Sequence, residues 1–178
     1  MLSSNHKVKT GSVTLALCLG LGLTLSACQI RPLYSTTTAS GQSLATELST
    51  IEIAPAKNRL DQEIRNHLIF AFNGGGEPGN PAYRLDMQVN NSTGDLSIES
   101  GTGLAKTTRV NLTVTYKLLR LEDKTIATTG SSFFAASFAR STQRFANERA
   151  LRDAENRAAD QVANDIHLRL SAFLAAGT

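Results

Sequence analysis

The chain has 178 residues, 41% of them hydrophobic and 19% charged, with 13 Gly, 4 Pro, 2 Cys and no Trp. That composition fits one globular domain and excludes a disordered or fibrous chain. Its 18 Lys and Arg exceed its 15 Asp and Glu by three, but Lys7 and Lys9 belong to an export signal. Without them the balance is 16 against 15, a charge of +1 with both signs interleaved. No basic stripe is left for nucleic acid, which is excluded as a partner.

Residues 1–27 read as a lipoprotein signal peptide. His6, Lys7 and Lys9 form a basic start, and the apolar run from Val13 to Leu25 is shorter than the roughly 20 residues of a membrane-spanning helix. The run ends in Leu25-Ser26-Ala27-Cys28, a lipobox that makes Cys28 the acylated first residue of the mature chain, anchored by palmitate-type chains. Cys18 lies in the discarded run. The mature 151 residues (178 − 27) therefore have no disulfide and no Cys/His metal site, and the covalent lipid is the one prosthetic group expected.

Residues 28–47 read as a lipidated N-terminus and tether. Ser35 to Ser43 is a run of nine small or polar residues without periodicity, spanning about 15 to 18 Å as a flexible chain. The folded domain, 48–178, is thereby held close to its membrane. It opens with a short edge strand, Leu48 to Ala54, with Ile51 and Ile53 on one face and Pro55 closing it. Asn58 then caps a helix to Asn73, with Leu60, Ile64, His67, Leu68 and Phe72 on one stripe and Gly74-Gly75-Gly76 past its end.

Tyr83, Leu85, Met87 and Val89 alternate with Arg84, Asp86, Gln88 and Asn90, the period of a strand with one buried face. Val110, Leu112, Val114, Tyr116 and Leu118 repeat the pattern against Arg109, Asn111, Thr113, Thr115 and Lys117, and the phase slip at Leu118-Leu119 predicts a bulge. Glu122-Asp123-Lys124 forms a hairpin turn, and Thr125 to about Ala136 returns as a strand with weaker alternation. From about Thr142 to Leu174 the period becomes helical, with Leu151, Ala154, Ala158, Val162, Ile166, Leu170 and Phe173 in one stripe.

The order β, α, β, β, β, α predicts an α+β, two-layer sandwich: a four-stranded, mostly antiparallel sheet with two helices packed on one face. The other face is polar, showing Arg84, Asp86, Gln88, Asn90, Arg109, Asn111, Thr113, Thr115 and Lys117 to water or a polar partner.

Catalytic patterns are missing. No G-x-S-x-G, H-E-x-x-H or phosphate-loop sequence occurs, and Gly101-Thr102-Gly103-Leu104-Ala105-Lys106-Thr107 precedes a strand where a phosphate loop would precede a helix. It reads as a flexible hairpin loop. His67 and His167 sit at helical positions beside apolar neighbours and read as packed or rim histidines. Gly74 to Pro81 serves as a connection, and the Asn90 and Asn111 sequons are irrelevant to a bacterial lipoprotein.

Cys28-Gln29-Ile30-Arg31-Pro32-Leu33-Tyr34, the β-α-β-β-β-α order and the Ala- and Arg-rich last helix with Ile166-His167-Leu168-Arg169-Leu170 resemble the LPS-assembly lipoprotein family LptE over essentially the whole mature chain. The resemblance implies a non-enzymatic outer-membrane lipoprotein on the periplasmic face. Its partner would be the LptD β-barrel, whose lumen it partly fills while assisting lipopolysaccharide transport and membrane assembly. Gln29 in place of Asp after the acylated Cys28 is compatible with release from the inner membrane. An auxiliary lipoprotein of another lipid-transport or barrel-assembly machine shares the same signal, tether and small domain. An envelope hydrolase lacks the nucleophile and base it requires. If lipopolysaccharide touches this chain, its phosphates need cations beside apolar surface. Lys106 and Arg109, entering a strand from the Gly-rich loop without an adjacent acid, are the first candidates, with Arg84 and Lys117 on the same polar face as second choices.

Overall fold

In the computed structural model, residues 41, 43–98 and 105–177 are described; the expectations placed on residues 1–40, Cys28 included, and on residues 99–104 lie outside them. The elements run α1 (Leu44–Leu48), β1 (Ile51–Ile53), α2 (Arg59–Asn73), β2 (Tyr83–Ile98), β3 (Ala105–Arg120), β4 (Ile126–Ala139) and α3 (Arg144–Ala176). The strands form one open sheet in the order β1-β2-β3-β4. β1 is parallel to β2 through the α2 crossover, and the other pairs are antiparallel, giving the expected α+β fold with a mixed sheet.

β3 shows most directly how the sequence selects the layers. Val110, Leu112, Val114, Tyr116 and Leu118 are buried, while the residues between them turn to the opposite face. The ladder to β4 shifts between Leu118 and Leu119, where the period-2 pattern slips. Against the buried face lie α2, through Leu60, Ile64, Leu68 and Phe72, and α3, through Ala154, Ala158, Val162, Ile166 and Leu170. Fully burying each large aliphatic side chain contributes about 1.5 to 3 kcal/mol.

The caps are local chemistry. Asn58 Oδ1 accepts from the Asp61 N–H at 3.0 Å, and Gly74 ends α2 at φ 66° with its N–H on the Phe70 carbonyl at 2.9 Å. α3 lacks a side-chain N-cap bond, but Asn147 reaches back to Ser141, accepting from its N–H and donating to its carbonyl, both at 2.7 Å. The Glu122 to Lys124 turn is held by Asp123, whose carboxylate accepts from the Thr125 hydroxyl at 2.8 Å and N–H at 3.1 Å and lies below its ordinary pKa on that account.

Three elements differ from expectation. Leu48 ends the five-residue helix α1 instead of opening a strand; Ser43 caps α1, so regular structure begins inside the segment read as tether. The first strand shrinks to Ile51–Ile53. β2 continues past Val89 to Ile98, matching the length of β3.

The lengths of these elements shape the molecule. Fifteen residues of α2 span about 22 Å, whereas sixteen residues of β2 span about 53 Å and the 33 residues of α3 about 50 Å. α2 runs parallel to α3, Arg59 near its start bonding Glu155 and Asn156, and Phe72 near its end lying 5.8 Å from the His167 ring. α2 therefore covers one end of the sheet. Asn91, Thr93 and Asp95, in the inward phase of β2, are exposed.

Candidate functional site

Two surfaces offer binding chemistry, and the first is the polar outer sheet face. Arg84 Nε lies 3.1 Å from Asp86 Oδ1, and Asp86 stands directly opposite Lys117 in the β2–β3 ladder. The two second-choice cations thus flank one carboxylate at one end of the sheet. Arg109 is on the same face eight residues from Lys117 along β3, roughly 26 Å away, opposite Gly94 on β2 and Ser137 on β4. It is exposed and has no ion-pair partner among the described residues.

Lys106 is separated from Arg109. It falls in the register shift where the β2 ladder passes from Ser97–Thr107 to Ile98–Ala105, and its carbonyl accepts from the Arg140 N–H at 2.8 Å. An offset of three residues along a strand does not keep two side chains on one face, so the first-choice pair is not a single cationic site. Aromatic surface does accompany the outer face: Phe133, 62% exposed, is the register partner of Thr113.

The second surface follows from the shortness of α2. Beyond its first residue, Arg59, the inner face of the β2–β3 hairpin and the first turns of α3 enclose a cleft of about 520 Å³. Thr93, Gly94, Asp95 and Thr108 form its floor, Phe138 and Leu151 are apolar walls, and Arg140, Asn147 and Glu148 stand at its rim. The Thr108 hydroxyl donates to Asp95 Oδ1 at 3.0 Å. This recess has charges of both signs beside apolar surface. Its signal in the sequence is the polar substitution of the inward phase at Asn91, Thr93 and Asp95, where alternation continues while hydrophobicity stops.

Between these surfaces, β4 and α3 are tied by polar contacts. Burial alone would raise the Asp165 carboxyl, yet bonds from the Ser132 hydroxyl and from Arg169 Nε at 2.9 Å hold it below its ordinary pKa. Burial raises the nearby Tyr116 phenol. The histidines sit at the helix seam: His67 Nδ1 is 3.5 Å from Asp160 Oδ1, and burial against Phe72 lowers the His167 pKa. Among the described residues, no group of three His, Cys, Asp or Glu is placed to hold a metal ion, and no helix is long and apolar enough to cross a membrane.

The model of the LptE family, described as lipopolysaccharide-assembly, matches residues 48–170. A crystal structure of a chain assigned as a lipoprotein from Caulobacter crescentus CB15 is similar at 25% identity and a TM-score of 0.63, over 76% of this chain and 97% of its own. Rare lipoprotein B from Shewanella oneidensis aligns at 13% identity and a TM-score of 0.53, over 68% and 92% of the two chains. Lipoprotein B from Nitrosomonas europaea aligns at 13% identity and 0.54, over 71% and 84%; these last two likenesses concern the fold. No curated protein matches the chain.

Proposed function

Because the chain belongs to the LptE lipopolysaccharide-assembly family, a non-enzymatic family without a cofactor, we propose that it is an outer-membrane lipoprotein, anchored at the periplasmic face through acylated Cys28, that partners an LptD-like β-barrel. The family match over residues 48–170 carries this reading. The polar outer sheet supports it, because a domain with mixed surface charge can enter a water-lined barrel without leaving an unpaired charge against lipid. Each buried CH₂ of the acyl chains contributes about 0.8 kcal/mol to anchoring.

Lipopolysaccharide contact belongs to the outer face, where Arg109 offers a two-pronged guanidinium to phosphate, with Arg84 and Lys117 at the other end. Lys106 falls in the opposite phase of β3 from Arg109.

The test is depletion followed by complementation. Depletion is expected to lower correctly assembled LptD-like barrel and admit large hydrophobic compounds. The wild-type chain restores both, Cys28→Ala fails because the unlipidated chain is not retained, and Arg109→Glu restores barrel level but not the permeability barrier. Unchanged barrel and permeability on full depletion would overturn the function. Labelled palmitate on the Cys28→Ala chain would overturn the anchor, and full rescue by Arg109→Glu the contact.

A further inference from the structure

The outer face of the sheet divides by charge. Arg84, Asp86 and Lys117 cluster at one end, and Arg109 stands toward the other. Between them three rows across β2, β3 and β4 hold no charged residue. The middle row is Asn90, Thr113 and Phe133; on one side of it Gln88 stands opposite Thr115, and on the other Asn111 continues the face along β3. At sheet spacings this patch measures about 10 Å by 13 Å.

Its side-chain hydrogen-bonding groups are unspent. Neither the amides of Gln88, Asn90 and Asn111 nor the hydroxyls of Thr113 and Thr115 bond any group among the described residues. Facing hydroxyls on neighbouring strands ordinarily bond each other. Here every row offers an amide or a hydroxyl, each able to donate and to accept, on the face turned away from the core. Phe133 departs from that pattern, a phenyl ring 62% exposed among polar neighbours.

The patch selects among partners by chemistry. An anion calls for a cation, and the three rows have none. A protein interface calls for several apolar anchors in a desolvated centre, and the patch offers one ring. A neutral saccharide fits both features: its neighbouring hydroxyls donate and accept as amides and threonines do, and the C–H face of a pyranose covers a phenyl ring.

We propose that this uncharged patch binds the neutral sugars of lipopolysaccharide, one pyranose lying on Phe133 while Asn90 and Gln88 hydrogen-bond its hydroxyls. The proposal rests on the lipopolysaccharide contact assigned to the outer face above, and it divides that face by chemistry: phosphate at Arg109, uncharged sugar over Thr113 and Thr115. The charges are complementary, because cations flank the neutral rows as phosphates flank uncharged sugar in the ligand. A saccharide in a water-lined lumen reaches this face without crossing an apolar layer.

The test uses the full lipidated chain in a detergent without a sugar headgroup. Core oligosaccharide stripped of acyl chains and phosphate is titrated and read by saturation-transfer NMR, with glycan fragments of peptidoglycan in a parallel titration. The core oligosaccharide is expected to receive saturation from the protein. Phe133→Ala should weaken its binding about fivefold or more, whereas Phe145→Ala, which removes another exposed ring, should leave it unchanged. If Phe133→Ala misfolds by circular dichroism, Asn90→Ala combined with Gln88→Ala should produce the same loss. No binding up to about 10 mM saccharide, binding indifferent to these variants, or equal binding of the peptidoglycan fragments would each overturn the proposal. Because the titrated sugar carries no phosphate, such a failure leaves the Arg109 contact standing, and full rescue by Arg109→Glu on complementation would in turn leave the saccharide patch standing.

Discussion

Gly130 stands opposite Tyr116 in the β3–β4 ladder, and a Cβ built on it would fall onto the phenol ring and hydroxyl. Two effects of Gly130→Ala then oppose each other. Gly130 has no left-handed φ, so alanine meets no backbone strain there and its lower chain entropy alone should stabilise the strand by about 0.5 to 1 kcal/mol. The contact acts the other way. Tyr116 is only 4% exposed, and pushing its ring out of the core forfeits burial worth about 1.5 to 3 kcal/mol, with repacking strain added. The net should be a loss of about 2 kcal/mol, or roughly 6 to 10 °C in Tm for a domain of this size, read by urea unfolding of the four chains of a double-mutant cycle with Tyr116→Val. Once the ring is gone the clash is gone, so Gly130→Ala in the Tyr116→Val background should be neutral or stabilising. Equal effects in both backgrounds, or a stabilised single variant, would refute the reasoning.

Burial depresses the His167 pKa in the fold, so the unfolded chain takes up this proton first; the stabilisation is complete above about pH 6.5 and is lost as pH falls through the lower folded value. His167→Gln should flatten stability against pH below that point, and an unchanged profile would remove the assignment. Glu155 accepts from Arg59 of α2 and, at 3.1 Å, from Asn91 of β2; Glu155→Ala should cost about 1 to 2 kcal/mol in urea unfolding, whereas a loss under about 0.3 kcal/mol would mean that both donors are satisfied by water.

What the sequence made legible were the elements whose two faces differ in chemistry. β3 alternates without a break and slips where the ladder slips, and α2 carries both its cap and its terminating glycine. β2 was half legible, because its alternation continues past Val89 with Asn91, Thr93 and Asp95 inward, a substitution tolerated because α2 does not reach over them, its first residue Arg59 lying level with Asn91 at Glu155. α1 was missed: five residues leave no period to detect, and the Ser43 cap is its one local signal. At the candidate cations, the acids lay across a strand. Asp86 is remote from Lys117 in sequence and opposite it in register, while Lys106 and Arg109 look adjacent in sequence and are divided by a strand's two-residue period.

The short crossover helix grades the sheet mechanically from one end to the other. Where α2 and α3 both lie over it, opening a backbone bond means separating two layers; past Asn91, the hairpin is held by α3 and its neighbouring strand alone. Amides should therefore exchange with solvent faster along residues 91–98 than along Tyr83 to Val89 of the same strand, since the free energy of local opening follows the packing above each bond. The half bearing Asp95 and Thr108 is thus expected to open locally at lower cost than the half bearing Leu85 and Leu118, so that one continuous strand has a compliant end and a fixed one.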